Sequence, residues 1–303
     1  MPRPRMKIML VGIALPQYGS QARAESIAPF ARDAEAAGFD TLWAGDRALA
    51  PVAPGTLYPG CTPDRPYPPE FTTFLDPLAV LTVAATATVR ARLGTSTLIA
   101  PLHPPLLLAR SLTSLDRISG GRLDVGLGIG WLREEYTAVG ADFSRRGEQL
   151  DEILDLLHGI WTRDPFRHEG KRWTVPEARI GLRPVQTPGP PVHLGGTSEA
   201  ALRRVGRRAD GWAGVVLPPE YAAHLWDTAR RAARDAGRDP DALRRTLRYN
   251  VPPGTPAESI AEVLRTVRDS GADGCFPDLH RAVREPDEAL ETGIRALQLL
   301  REG

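Results

Sequence analysis

Two glycine-rich segments follow apolar runs, at points where a backbone can approach a ligand. In the first, Gly126-Leu127-Gly128-Ile129-Gly130-Trp131, the spacing departs from G-x-G-x-x-G and no helix begins at once, which argues against a dinucleotide site. Glycines at this place either let the backbone approach a flat ligand or simply form a turn. The residues alone leave both interpretations open.

The second segment, Gly195-Gly196-Thr197-Ser198-Glu199, follows a predicted strand and opens a predicted helix. Free backbone N–H groups and the helix dipole would favour a phosphate there. The alternative is a Ser/Thr N-cap with Glu199 in the first turn, which stabilises the helix without a ligand. We favour the phosphate and keep the cap as the alternative.

Histidine and cysteine spacing argues against metal and nucleophile chemistry. The six histidines include no HxH or HExxH pair, there is no GxSxG sequence, and Cys61 and Cys275 lie far apart. We therefore predict no metal. His103 follows a predicted strand and is a candidate substrate contact, whereas His193 lies inside a strand and is predicted to belong to the core.

Composition predicts a globular protein with small-molecule partners. Hydrophobic residues make up 42% and charged residues 25% of the chain, and 38 Lys and Arg against 37 Asp and Glu give a net charge of +1. This balance predicts neither nucleic acid nor membrane binding, and no apolar run approaches roughly 20 residues. Two cysteines fit a cytoplasmic protein, whereas Arg3 and Arg5 before the apolar run Ile8–Leu15 keep export as the alternative.

Apolar runs alternate with amphipathic stretches along the chain, as in repeated βα units. The predicted strands are Lys7–Leu15, Thr41–Gly45, Leu93–Ile99, Arg122–Leu127, Pro191–Leu194, Gly211–Val216, Thr246–Val251 and Gly274–Phe276. Eight repeats with right-handed crossovers favour a (β/α)8 TIM barrel, a single α/β domain over residues 1–303, over an open doubly wound sheet.

Loops at the carboxyl ends of barrel strands carry function. The longest, residues 46–76, is rich in Pro, Gly and aromatic residues, which is typical of a lid. Aromatic side chains there and at the glycine-rich loop indicate an apolar or ring-containing substrate: Tyr58, Tyr67, Phe71, Phe74 and Trp131. A further segment, 166–183, is predicted to be a hairpin insertion.

A family resemblance rests on segments taken in order along the chain. They are Gly38–Asp46, Leu93–Pro101, Gly120–Trp131, Arg146–Glu148, Pro191–Ser198 and Ala209–Trp212. Together they resemble the bacterial luciferase-like monooxygenase superfamily, and within it the branch that uses the deazaflavin coenzyme F420. Relatives that use FMN share most of these segments.

The resemblance implies a homodimer whose barrels each hold a planar redox ring across the mouth. It also implies a non-prolyl cis peptide between Ser96 and Thr97 that supports the ring. Asp46 would face the ring or its hydroxyl edge, and Gly128 and Gly130 the ring and ribityl chain. The implied cofactor contacts are Asp46, Ser96, Thr97, Gly128, Gly130 and, for the phosphate, Gly195, Gly196 and Thr197.

Two positions depart from the pattern of the resembled branch. Arg47 stands where many deazaflavin-dependent relatives have a His, and it stays cationic. Instead of acid catalysis, Arg47 is expected to stabilise negative charge on a reduced ring or to hold an anionic substrate. Trp131 stands where relatives that oxidise glucose phosphate have a Glu, which argues against a sugar-phosphate substrate. Asp46, Arg47 and Trp131 are thus the candidate catalytic residues.

The predicted function is F420-dependent hydride transfer between the deazaflavin C5 and a small organic substrate. Tyr58, Phe74, His103 and Trp131 are the candidate substrate contacts. One alternative is a monooxygenase that uses reduced FMN and dioxygen. A further alternative is a non-catalytic barrel that only binds the cofactor, since the His and the Glu are replaced.

Overall fold

Eight parallel strand positions close into a barrel. A computed structural model describes residues 8–302, so Lys7, Arg3 and Arg5 lie outside the described residues. In barrel order the strands are β1 (Leu10–Ala14), β2 (Thr41–Ala44), β3 (Arg92–Thr95) continued by β4 (Leu98–Ile99), β5 (Leu123–Gly128), β8 (Val192–Gly195), β9 (Gly211–Val215), β10 (Arg244–Asn250) and β11 (Gly274–Asp278), which pairs again with β1. The predicted TIM barrel is confirmed, and the open sheet is wrong.

Helices follow the strands and cover the barrel. They are α1 (Ile27–Ala37), α2 (Pro77–Ala87), α3 (Pro105–Ile118), α4 (Arg133–Ala138), α5 (Arg146–Thr162), α6 (Glu199–Arg208), α7 (Pro219–Asp235), α8 (Ala257–Asp269) and α9 (Pro286–Glu302). Within residues 8–302, no helix has the length and apolar character needed to cross a bilayer.

Two excursions leave the barrel. β6 (Phe166–Glu169) and β7 (Thr174–Ala178) pair antiparallel, which confirms the hairpin, although it ends before residue 183. The long loop, residues 46–76, has a short 3₁₀ turn at Pro69–Thr72 and an antiparallel bridge between Phe74 and Tyr18. This bridge ties the end of the long loop to the loop after β1, so the long loop lies against the barrel mouth, the end formed by the strand carboxyl termini.

The barrel interior is filled by aromatic side chains that require small neighbours. Trp43 of β2 is buried and stacks on Phe276 of β11 with ring centroids 4.8 Å apart. A Cβ atom on Gly94 would lie 2.2 Å from the Trp43 ring, so only glycine fits at that position of β3. This packed interior confines any ligand to the mouth.

Candidate active site

Asp46 is fixed at the barrel mouth by the neighbouring strand. Its carboxylate follows β2 and accepts a hydrogen bond of 2.8 Å from the Ile99 N–H of β4. The His103 Nε2 atom lies 3.7 Å from the same carboxylate, with the imidazole about one-third exposed. The peptide bond between Ser96 and Thr97, which separates β3 from β4, is cis, as the family resemblance implies. The structure thus brings together four predicted site residues.

The glycines that end β5 and β8 pack against Thr97. A Cβ on Gly128 would lie 2.5 Å from Thr97 Oγ1, and one on Gly195 would lie 3.1 Å from Thr97 Cγ2. Gly130 has a φ of +60°, which favours glycine and makes a turn there. Each glycine therefore has a packing or turn role of its own, and cofactor contact at Gly128 and Gly130 stays a prediction.

The segment Gly195–Ser198, here called the glycine cradle, opens α6 at the mouth. Ser198 Oγ accepts from the Ala201 N–H at 3.3 Å, so the predicted N-cap exists. Gly196, with a φ of +115°, directs its carbonyl to Trp212 Nε1 at 2.9 Å. Gly196 and Thr197 are exposed. The cap uses the Ser198 side chain and leaves this surface open to an anion.

Arg47, near the start of the long loop, lies in an aromatic setting. Its side chain is only 7% exposed, and its guanidinium carbon lies 5.0 Å from the ring centroids of both Phe71 and Trp131. Glu135 of α4 is fully buried beside it, with Oε2 3.2 Å from Arg47 Nη1. Glu135 Oε1 accepts from the Ala48 N–H at 2.8 Å. We call Arg47, Phe71, Trp131 and Glu135 the Arg47 cluster.

Burial governs ionisation in the Arg47 cluster. Burial lowers the pKa of Arg47, and attraction to Glu135 and Asp46 only partly opposes it. Burial raises the pKa of Glu135, and attraction to Arg47 only partly opposes it. Both shifts favour the neutral forms, so desolvation exceeds the mutual attraction of this pair. Arg47 remains a cation because its intrinsic pKa is so high.

Aromatic rings of the long loop surround this cation. Tyr58 meets Phe71 and Trp131 edge to face, with centroids 5.1 and 5.5 Å apart, and Phe74 lies 5.9 Å from Phe71. Tyr67 instead donates to the Pro51 carbonyl at 2.7 Å and holds the loop itself. Of the predicted substrate contacts, Tyr58 and Trp131 lie together, and Phe74 adjoins them through Phe71.

A second polar group was missed in the sequence. Asp278, the last residue of β11, pairs with Arg248 of β10 and accepts from Tyr18 Oη at 3.0 Å. His280 Nδ1 lies 2.7 Å from the Asp278 carboxylate. We call Tyr18, Arg248, Asp278 and His280 the Asp278 network. A carboxylate at the carboxyl end of a barrel strand was the signal that could have indicated it.

Hydrogen bonds fix the geometry of the Asp278 network. The Gln17 N–H donates to His280 Nε2 at 3.0 Å, so the imidazole proton lies on Nδ1 and points to Asp278. Arg248 Nη1 donates to the Ser96 carbonyl at 3.1 Å. This hydrogen bond links the Asp278 network to the cis peptide between β3 and β4. Tyr18 is stacked between His280 and Phe74, with centroids 3.7 and 4.5 Å away.

Charge pairing governs ionisation in this second group. Burial alone would raise the pKa of Asp278, but Arg248 and His280 outweigh it and hold that pKa well below its usual range. Burial and the neighbouring Asp278 carboxylate raise the pKa of Tyr18, so its phenol stays protonated and donates. Asp278 is therefore a permanent anion that holds three donors in place.

Similar proteins share this architecture. An uncharacterized protein of Mycobacterium tuberculosis is 31% identical over 213 residues, covering 69% of this chain and 72% of its own. The monooxygenase RslO1 of Streptomyces bottropensis superposes with a TM-score of 0.77 at 20% identity, covering 97% and 99% of the two chains. An F420-dependent secondary alcohol dehydrogenase, solved with an F420–acetone adduct, gives a TM-score of 0.77 at 16% identity with the same coverage.

The family assignment rests on nearly the whole chain. The model of the luciferase-like monooxygenase family matches residues 6–298, which include the barrel, the long loop and both polar groups at the mouth. The resemblance seen in the sequence is thereby confirmed. The chain belongs to the luciferase-like monooxygenase family.

Proposed function

We propose that this protein is an F420-dependent oxidoreductase. Its substrate is a small organic molecule, apolar or ring-containing, that lies at the barrel mouth under the long loop. A bound deazaflavin would give or accept the hydride at its C5 atom. Structural relatives include both F420-dependent enzymes and a monooxygenase that binds FMN, so a flavin-type ring suits this fold.

The residues at the mouth suit such a cofactor. The glycine cradle offers bare backbone N–H groups at the start of α6 to the phosphate, where the helix dipole favours negative charge. Asp46, held by Ile99, would accept a hydrogen bond from the hydroxyl edge, and the Ser96–Thr97 backbone would back the ring.

The observation that carries the choice of F420 is the exposure of the glycine cradle. Coenzyme F420 continues beyond its phosphate into an anionic oligoglutamate tail, whereas FMN ends there. Gly196, Thr197 and Ser198 are exposed, so a tail would leave the protein without crossing packed side chains. The cradle thus accommodates a phosphate that is linked on both sides.

The protein's own groups would supply orientation and electrostatics. Arg47 would stabilise negative charge that develops near Asp46, because it is buried and permanently cationic. Tyr58, Phe71 and Trp131 would exclude water from the substrate. Phe74 would line the same space, and His103, part-exposed beside Asp46, would contact the polar end of the substrate.

Fluorescence titration with F420 and with FMN tests the proposal. We expect saturable binding of F420 and weaker binding of FMN. Thr197→Glu places a carboxylate in the cradle, and we expect it to weaken F420 binding about tenfold or more through like-charge repulsion. Thr266→Glu, an exposed position on α8, is the matched control and should bind like the unsubstituted protein. Tighter binding of FMN than of F420 would refute the proposal.

We further propose a cytoplasmic homodimer. Val83 of α2 and Leu106 and Leu107 of α3 are exposed by 40%, 43% and 47%, and α2 packs beside α3. Exposed apolar side chains on two neighbouring helices are typical of a contact between protein copies. Sedimentation of the purified protein should give about twice the mass of one chain, and a monomer at micromolar concentration would contradict the dimer.

A further inference from the structure

The hydrogen bonding of Arg47 is incomplete. Neither Nε nor Nη1 has a hydrogen-bond partner among residues 8–302, although the side chain is more than nine-tenths buried. Glu135 Oε2 is near Nη1 at 3.2 Å, but it also lacks a hydrogen bond, so the contact is electrostatic only. Buried donors without acceptors are costly, which indicates that a ligand completes this site.

The edge of the Arg47 guanidinium that Glu135 leaves free defines the shape of that ligand. In a guanidinium group, Nε–H points to the same side as Nη2, and Nη1 lies on the other side. Glu135 contacts Nη1 and therefore leaves the Nε–Nη2 edge free of its carboxylate. This edge presents two parallel N–H groups, the arrangement that binds a carboxylate through both of its oxygens.

The aromatic side chains around Arg47 favour a flat ligand. Phe71 and Trp131 lie on the guanidinium, and Tyr58 meets both rings edge to face. All three aromatic residues are partly exposed, so their rings are accessible from the mouth. Trp131 Nε1 is one more buried donor without an acceptor among the described residues. Aromatic rings pack well against such walls.

We propose that the substrate of this site is an aromatic carboxylate, held through its carboxylate by the Nε–Nη2 edge of Arg47. The aromatic ring of the substrate packs against Tyr58, Phe71 and Trp131. This assignment rests on the proposed function, whose substrate site it specifies. Glu135 stays on Nη1 and orients the guanidinium, so Arg47 lies between two carboxylates.

Calorimetric titration of the cofactor-free protein with 2-naphthoate and with 2-naphthamide tests the assignment. The two probes have the same ring system and differ in charge. We expect saturable binding of the acid and about 30-fold weaker binding of the amide, because the amide cannot form the charged two-point contact.

Substitutions then locate the contact. Arg47→Gln should weaken 2-naphthoate binding about 30-fold, and Arg47→Lys about tenfold, because lysine keeps the charge and loses the planar edge. Arg167→Gln is the control, since Arg167 is an exposed arginine paired with Glu169 on the hairpin, and it should leave binding unchanged. Near-ultraviolet circular dichroism checks folding, and Arg47→Lys carries the test if Arg47→Gln does not fold.

The outcomes separate this inference from the cofactor proposal. Equal affinity for acid and amide, or equal affinity of the Arg47 variants and the unsubstituted protein for the acid, overturns the inference. F420 binding in the same preparation, with no discrimination between the probes, overturns the substrate class alone. Discrimination between the probes without F420 binding overturns the cofactor proposal and leaves the carboxylate site standing.

Discussion

Two buried arginine–carboxylate pairs lie at the same barrel mouth, and their surroundings differ. Arg248 donates to Asp278, Tyr18 and Ser96, and among residues 8–302 only its Nε finds no partner. Arg47 approaches Glu135 at 3.2 Å without a hydrogen bond. Within the described residues, the Asp278 network thus satisfies its polar groups except Arg248 Nε, whereas the Arg47 cluster is arranged to receive a ligand.

The carboxylate pKa values express the same difference. Arg248 and His280 overcome the effect of burial and lower the pKa of Asp278, whereas burial exceeds the effect of Arg47 and raises the pKa of Glu135. A carboxyl group whose ionised form is stabilised by the fold raises the free energy of unfolding, and one whose ionised form is destabilised lowers it. We therefore expect the two pairs to respond differently to substitution and to pH.

The largest expected effect is that of Asp278→Asn. It removes the charge that compensates Arg248, and we expect the free energy of unfolding to fall by about 3–5 kcal/mol, as for other broken buried pairs. Urea unfolding followed by circular dichroism measures it. Glu285→Gln, which removes one partner of an exposed pair with Arg23, is the control and should change stability very little. A loss no larger than that of the control would show that the Asp278 network is not structural.

A smaller effect is expected when the whole Arg47–Glu135 pair is replaced. Arg47→Met/Glu135→Gln removes both charges and keeps an acceptor for the Ala48 N–H. We expect the free energy of unfolding to stay within about 1 kcal/mol of the unsubstituted protein, because relief from desolvation offsets the lost attraction. The same urea titration measures it. A loss of stability as large as that of Asp278→Asn would show that the two arginine–carboxylate pairs do not differ in the way proposed.

The smallest expected effect is that the contributions of Asp278 and Glu135 to stability change with pH in opposite directions. Asp278 has a lowered pKa, so its contribution is present above the unfolded value of about 3.9 and is lost as pH falls through the folded value. Glu135 has a raised pKa, so its contribution is present below about 4.3 and is lost as pH rises through the folded value.

Unfolding at several pH values, compared with Asp278→Asn and Glu135→Gln, measures these two dependences. The stability difference between the unsubstituted protein and Asp278→Asn should shrink in acid. The unsubstituted protein should lose stability relative to Glu135→Gln as pH rises from about 4 towards neutrality. Parallel profiles for the two comparisons would contradict the assigned shifts.

Sequence reasoning reached the barrel because its signals are local and repeated. Apolar runs, amphipathic stretches and the long loop each lie within one stretch of chain, so local patterns were sufficient to predict them. The family resemblance assigned Asp46, Ser96 and Thr97 to one site, and the structure brings them together because strand ends converge in a closed barrel.

The polar networks could not be read in the same way. Tyr18 and Asp278 are 260 residues apart, and Arg47 and Glu135 are 88 apart. Their pairing depends on barrel closure and on the fold of the long loop. Arg248 also gave no signal of its own, because an arginine in a strand is usually solvated at its tip. The sequence also could not show why these two positions need glycine, because the contacts of Gly128 and Gly195 with Thr97 form only in the folded barrel.

A crystal structure of the protein soaked with F420 and FMN together tests the cofactor assignment most directly. We predict electron density for the deazaflavin across the mouth, with its ring beside Asp46, its phosphate on Gly196 and Thr197, and its tail directed to solvent. Density for FMN in that place, or no ligand at the mouth while F420 is bound elsewhere, would contradict the assignment.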